Sequence, residues 1–386
     1  MAEPQTFSEC VDKLLDDFRL YDRTVDLVSC WEFFYTKVAT VRDKILHFDR
    51  FPRLACPQES ERDQKTPDFA VLVSDSYGLV GEVKSGFPRE DLPFIRHLER
   101  LKKYDRPLSF KRNEKGETSS PSTHDILLII PIRDAQEIVV RVENLLRMGT
   151  VQFERNLVVV EWMYDNDEDE FVFRKVARQT SDFNDPAVPD DARLSKLFTE
   201  RGRSLKVSPD NIKLIKAAWQ FCNDEPKPIY TIVFLWTKIL YHLLNEGQRE
   251  IWRRKNPQKE LPIEVTVQQL VDKISGLYPI EWGHWTDWIT KALNTLVTAG
   301  LATRIPDGHY AVRYRNLTKE VGEPGHPGTD SRSAYHHAEY ARILATYICR
   351  GLHDKKRKGE AKGEFQDQGR LSFPNQTSPP NNISGE

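Results

Sequence analysis

Apolar positions along the chain follow two periods, and the switches between them outline the elements. From Phe7 to Leu20, Cys10, Val11, Leu14, Leu15 and Phe18 recur at helical spacing behind Ser8 as a cap. A second helix is expected from Thr24 to Leu46, with Leu27, Val28, Trp31, Phe34, Val38, Val41 and Ile45 on one face. The stretch His47 to Lys65 is polar and proline-punctuated, as in a loop. Two short apolar runs, Phe69 to Val73 and Leu79 to Lys84, flank the turn-forming segment Ser74 to Gly78 and predict a hairpin. An amphipathic helix follows from Phe94 to Tyr104. The near-continuous apolar run Asp125 to Ile132 reads as a central strand covered on both faces. Arg133 to Met148 has helical spacing again, and Asn156 to Met163 and Glu170 to Val176 read as strands. This order predicts a mixed α/β domain ending near Arg178.

The proline- and aspartate-rich stretch Thr180 to Arg193 then marks a linker, so the first domain spans 1–178 and the linker 179–193. Residues 194–260 read as a helical region containing Ser208-Pro209 as a helix start and the apolar helix Tyr230 to Leu244. Gln248 to Lys259 is a basic loop with Arg249, Arg253, Arg254, Lys255 and Lys259. Within 261–316, Thr266-Val267-Gln268-Gln269 is a capping box opening a helix to Leu277; Trp285 to Ala299 is a second helix, stopped by Gly300. The strands 301–305 and 310–315 form a hairpin across Pro306 to His309. Helix, helix, hairpin resembles a winged-helix domain. Its second helix would carry Trp285, Ile289, Leu293, Leu296 and Val297 inward and leave Thr286, Thr290, Lys291, Asn294 and Thr298 to meet a groove or a protein surface. A linker and terminal helix (317–352) and a basic, polar tail (353–386) complete the chain.

Composition narrows the functional classes. In 386 residues the formal net charge is -2 while charged residues reach 30%, so affinity for nucleic acid has to come from local patches. The five cysteines, Cys10, Cys30, Cys56, Cys222 and Cys349, show no C-x-x-C pairing; buried thiols in a reducing cytosol are expected and a zinc site is not. No leader-like amino terminus or membrane-length apolar run is seen, which predicts a soluble cytoplasmic protein with no membrane partner.

The chemistry concentrates in the hairpin Thr66 to Lys84. A five-residue turn would pair Ala70 with Glu82 and Asp68 with Lys84, and alternation would bring Asp68, Glu82 and Lys84 onto one face. Two carboxylates suit a hard divalent cation such as Mg²⁺, and an adjacent ammonium can orient or deprotonate a water or neutralise a phosphate. The alternative is a surface ion pair of little energetic value.

Pro67-Asp68 followed by Glu82-Val83-Lys84 resembles the PD-(D/E)XK nuclease superfamily, over roughly Trp31 to Trp162. The resemblance implies a restriction-endonuclease-like mixed-sheet core, with Asp68, Glu82 and the Val83 carbonyl on Mg²⁺ (Mn²⁺ as a substitute) and Lys84 positioning the attacking water. In such proteins a preceding helix often adds an acidic ligand, for which Glu32 stands first and Asp43 second; a solvated glutamate is the other reading of Glu32. The implied activity is Mg²⁺-dependent DNA cleavage, with a restriction or defence role by analogy alone. Phosphate contacts would come from Arg96, Arg100 and Lys103 on the helix after the hairpin and from Arg253, Arg254 and Lys291 farther on; for the first three a solvated face is the competing reading. The carboxy-terminal helical region offers a surface for a second copy or a partner protein. The other functional class is a non-catalytic nucleic-acid-binding or assembly protein with a degenerate nuclease-like domain. His97, the pair His336-His337 and the acidic turn Asp165 to Asp169 read as structural or solvated.

Overall fold

In the computed structural model, residues 6–57, 64–176, 204–218, 221–253, 260–278, 285–315, 317 and 337–354 are described. The expected linkers apart from Leu317, the tail from residue 355 onward, Arg254, Trp282 and His336 lie outside them.

The chain opens with one helix where two were expected. α1 (Phe7–Lys37) runs through the Leu20–Thr24 stretch without a break, because Tyr21 and Val25 are buried and continue the apolar stripe. Its cap is Thr6, not Ser8: the Thr6 hydroxyl accepts from the backbone of Glu9 while the Glu9 carboxylate accepts from Thr6, a closed capping box. The short α2 (Ala39–Arg42) leads to β1 (His47–Asp49), a strand where the polar sequence suggests a loop. Three residues are too few for a period of two to be read, and pairing with its neighbour decides their conformation.

The expected hairpin forms from β2 (Phe69–Ser74) and β3 (Tyr77–Val83). α3 (Asp91–Leu101) and a 3₁₀ turn ending at Tyr104 follow, then a small ribbon of β4 (Phe110–Lys111) and β5 (Thr118–Ser119). Next come β6 (Thr123–Pro131), α4 (Ile132–Arg147), β7 (Asn156–Asp165) and β8 (Glu170–Lys175), each within two residues of its expected bounds. β9 (Leu205–Val207) completes a seven-stranded mixed sheet ordered β1-β2-β3-β6-β7-β8-β9, in which β3, β6 and β7 are parallel. That last strand lies where only helix was expected; Leu-Lys-Val is again too short to show its period.

Both faces of the sheet are covered, which is why β6 is apolar throughout. Val71, Leu79, Leu127 and Val158 face Val28, Trp31 and Tyr35 of α1, while Ala70, Val80, Leu128 and Val159 face Phe94 and Leu98 of α3 and Val142 of α4.

Past β9 come α5 (Pro209–Ala218), α6 (Pro228–Phe234), which continues as a π turn and a 3₁₀ turn to Leu243, and α7 (Glu246–Arg253), helical where a basic loop was expected. Then β10 (Leu261–Thr266), α8 (Val267–Leu277), α9 (Trp285–Thr298), β11 (Ala302–Ile305) and β12 (His309–Tyr314) build a second sheet ordered β10-β12-β11. The Thr266 capping box is present, and Gly300 ends α9 at φ +74°, a left-handed conformation that costs glycine little. α10 spans 337–354. Phe18 and Tyr21 of α1 and Tyr230, Phe234, Trp285 and Leu293 of the later helices belong to one continuous core, so residues on both sides of the expected linker pack together.

Cys10 and Cys349 form a disulfide between α1 and α10, which corrects the expectation of five thiols; Cys30, Cys56 and Cys222 are free and buried. Partners 339 residues apart leave no local spacing signal. Among the described residues no helix is long and apolar enough to cross a membrane.

Candidate active site

The hairpin register differs from the expected one by two residues. Phe69 pairs with Gly81, Ala70 with Val80 and Val71 with Leu79; an irregularity between Leu72 and Ser74 leaves Asp75-Ser76 as a tight turn. An even shift preserves which face each side chain takes. Asp68 and Glu82 therefore still share a face, now directly opposite each other rather than offset: the Asp68 N–H donates to the Gly81 carbonyl at 3.0 Å, extending the ladder by one residue.

Gly81 is required there. A Cβ at this position would lie 2.2 Å from the Phe69 ring, which is itself stacked on Trp31 with centroids 5.7 Å apart. The ring packs across the strand at Gly81.

Each polar atom then has a defined role. Asp68 Oδ2 accepts from the Val83 N–H at 2.7 Å, and among the described residues nothing donates to Oδ1. Glu82 Oε1 accepts from Lys84 Nζ at 2.7 Å, and Oε2 accepts from the Tyr104 hydroxyl at 2.7 Å. The Lys84 N–H donates to the Ile129 carbonyl at 2.9 Å, fixing its backbone to β6. Asp68 is 3% exposed and Glu82 6%, whereas the Lys84 side chain is 25% exposed. Solvent reaches this cluster through the lysine.

The electrostatics follow from burial. Asp68 is held well above the usual carboxylate range, first by desolvation and then by the charges of Glu82 and Asp224, against the opposing pull of Lys84 and the Val83 N–H. Burial draws the Lys84 ammonium down, but Glu82 and Asp68 outweigh it and leave it above its ordinary value, hence charged at neutral pH. Burial and Glu82 push the Tyr104 phenol far up, so it stays a donor. Burial and the neighbouring carboxylates thus favour the protonated form of Asp68, while Lys84 stays charged beside Glu82.

Asp224 is a residue that the sequence reading missed. The loop before α6 reaches back to the hairpin, where Asn223 Nδ2 donates to the Pro67 carbonyl at 2.6 Å and the Asp224 carbonyl accepts from the Tyr21 hydroxyl at 3.1 Å. The exposed Asp224 carboxylate acts on Asp68, Lys84 and Tyr104 together. Asn223-Asp224-Glu225-Pro226 is a helix-breaking signal inside a segment taken as helical, and it marks this loop.

The other expected site residues are placed as follows. Glu32 forms an ion pair with the buried Arg50 at 2.9 Å, and Arg50 also donates to the Val25 and Phe221 carbonyls. Asp43 is exposed and accepts from Arg42 at 3.0 Å. Arg96 and Arg100 are exposed on α3, and Lys103 Nζ sits 4.5 Å over the Tyr104 ring, one residue from the Glu82 contact. Lys291 is paired with Glu225, and Arg253 closes α7, away from the hairpin in sequence. His97 bonds to the Pro93 carbonyl of its own helix, and Asp165 accepts from the backbone of Asp167 and Glu168 within the β7–β8 turn.

The chain matches no family model, no curated protein and no solved structure. Among the described residues no three His, Cys, Asp or Glu side chains are grouped to hold a metal ion, so neither Glu32 nor Asp224 completes a ligand cage with Asp68 and Glu82. Two carboxylates suffice for Mg²⁺, which keeps several waters and takes further oxygens from a substrate phosphate. The donor set fits: Asp68 and Glu82 supply carboxylate oxygens side by side, one oxygen of Asp68 has no donor among the described residues, and a bound cation would favour the ionised form of Asp68 that burial disfavours.

Proposed function

We propose that this protein is a divalent-metal-dependent nuclease that hydrolyses phosphodiester bonds in DNA, built on a PD-(D/E)XK-like core with a winged-helix-like unit in β10 to β12. The observation that carries this reading is the convergence of Asp68, Glu82 and Lys84 at the end of one buried hairpin, with only the lysine open to solvent. Asp68, Glu82 and the Val83 carbonyl would hold the Mg²⁺, which when bound supplies a Lewis acid for a phosphate oxygen and a water of lowered pKa. Lys84 is charged at neutral pH, so it orients and neutralises and does not act as a base. Tyr104 fixes the Glu82 rotamer from the other side.

Cleavage of linear, nicked and single-stranded DNA in Mg²⁺ tests the proposal. Asp68→Asn, Glu82→Gln and Lys84→Ala should each lower the rate about 100-fold or more. Full activity in all three variants would place the chemistry elsewhere. Mg²⁺ should also raise the wild-type melting temperature, since it relieves the crowded carboxylates, and should fail to do so in Asp68→Asn.

A second reading has its own observation. Both oxygens of Glu82 already accept hydrogen bonds, from Lys84 and Tyr104, as in a site that holds itself shut without metal. A non-catalytic nucleic-acid-binding or assembly protein would show no cutting and no heat of Mg²⁺ binding in the wild type.

A further inference from the structure

A groove of about 470 Å³ opens beside Lys84, along the carboxyl ends of the parallel strands β3, β6 and β7 and under α1. Its volume lies in the range of small-ligand clefts, roughly 300–1,000 Å³, and its place at the strand ends is where open α/β sheets receive ligands. Val83 and Lys84 form one wall, Pro131 to Arg133 a second, and Trp162 to Tyr164 a third; α1 adds Arg19 and Arg23.

Two features of this groove suit a ligand. In a chain of net charge -2, its lining carries Arg19, Arg23, Lys84 and Arg133 against the single carboxylate of Asp16; Arg19 pairs with that carboxylate, and Lys84 and Arg133 pair with Glu82 and Asp134 at the rim, which leaves Arg23 as the cation held by aromatic rings alone. Arg23 also has its guanidinium carbon 5.5 Å from the Trp162 ring centre and 5.7 Å from that of Tyr164, and it makes no hydrogen bond or ion pair among the described residues. An exposed guanidinium laid against aromatic rings with its N–H groups unspent offers a stacking surface and phosphate donors at one spot.

We infer that this groove receives an unstacked nucleotide of a single-stranded nucleic acid, its base against the Arg23, Trp162 and Tyr164 wall and its phosphates toward Arg19, Arg133 and Lys84. Resting on the nuclease reading, this names the substrate class of the same site. A cleft of one-ligand size admits a base only when it is out of the duplex stack, and sequence-tolerant stacking on aromatic and arginine faces is the usual means of holding single strands. The strand then passes Lys84, the one member of the catalytic trio open to solvent.

Fluorescence anisotropy in EDTA, with end-labelled oligothymidylate and a blunt duplex of equal length, tests this without requiring turnover. The single strand should bind at least about tenfold tighter than the duplex. Arg23→Gln and Trp162→Leu should weaken single-strand binding by about 5- to 150-fold, the equivalent of one stacked base. Arg133→Gln alters an exposed side chain that the fold does not need and should still cost several-fold. Arg112→Gln, at the opposite end of the hairpin beside Asp75, should cost nothing. Equal affinity for duplex, or unchanged binding in folded Arg23→Gln and Arg133→Gln, would overturn the inference. Groove-dependent binding without any Mg²⁺-dependent cutting would sink the nuclease reading and leave the groove standing; cutting that ignores the groove variants would do the reverse.

Discussion

Two clusters in this protein have the same ingredients, two carboxylates and a lysine, and opposite designs. In one, Lys216 of α5 lies between Asp22 and Asp26 of α1, with Nζ 3.0 Å and 2.6 Å from their Oδ1 atoms. In the other, Lys84 reaches only Glu82, while Asp68 bonds to backbone and keeps an oxygen without a donor. The helix cluster is closed on itself: the side chains of Lys216 and both aspartates are at most 17% exposed, and the lysine neutralises a pair that would otherwise repel across one turn of helix. The hairpin cluster keeps an oxygen of Asp68 without a donor among the described residues and has an opening beside its lysine. Residue types are thus a poor guide to role; what separates a clamp from a candidate site is whether the lysine lies between both carboxylates away from solvent or pairs with one of them beside an opening.

The contrast can be broken most directly by removing each lysine. Lys216→Met leaves two buried carboxylates without a counter-charge and should cost about 3–5 kcal/mol, read as a lower urea midpoint. Lys84→Met removes a more exposed cation whose partner Glu82 keeps Tyr104, and about 1 kcal/mol is expected. Equal losses would mean that Lys84 is as structural as Lys216, and the functional reading of the hairpin would lose its main support.

A smaller effect should appear with pH. Burial, with Asp22 adding to it and Lys216 opposing it, pushes Asp26 up to about 6. A carboxyl with a raised folded pKa binds its proton more tightly when folded, so its contribution is present below the ordinary carboxylate range and is lost as pH rises through 6. Between pH 4.5 and 7 the wild type should therefore lose on the order of 2 kcal/mol relative to Asp26→Asn, a difference obtained from paired denaturation curves. A flat difference would mean that Asp26 stays ionised throughout and that the clamp is tighter than its burial suggests.

How much of this was legible in the sequence depended on where the information lay. The face shared by Asp68, Glu82 and Lys84 was readable because side-chain parity survives a two-residue register error; the register itself was not, since the irregularity at Leu72–Ser74 shortens the turn. Long periodic segments such as α3, α4, β6 and α9 were readable from their own residues. By contrast, β1 and β9 are three residues each and owe their conformation to a neighbouring strand. The Cys10–Cys349 bond, the Lys216 clamp and the return of Asp224 to the hairpin join positions more than 150 residues apart, where no local period points. Arg23 was hidden for another reason: as one arginine on an amphipathic helix it looks like a solvated residue until Trp162 and Tyr164 are seen beneath it.

The finest distinction between the two clusters rests on Tyr104. Its hydroxyl occupies Glu82 Oε2 at 2.7 Å, a donor with no counterpart in the helix clamp. In Tyr104→Phe that buried oxygen loses its partner, which should cost about 1–2 kcal/mol in EDTA. If Glu82 is a metal ligand, Mg²⁺ takes up the vacated oxygen, and the same substitution should cost less in saturating Mg²⁺ than without it. The measurement is a double-difference of melting curves, wild type against Tyr104→Phe with and without Mg²⁺, and a shift of about 1 kcal/mol suffices to see it. A cost independent of metal would assign Glu82 to Lys84 and Tyr104 alone, and the hairpin would then be a clamp of the same kind as the one around Lys216.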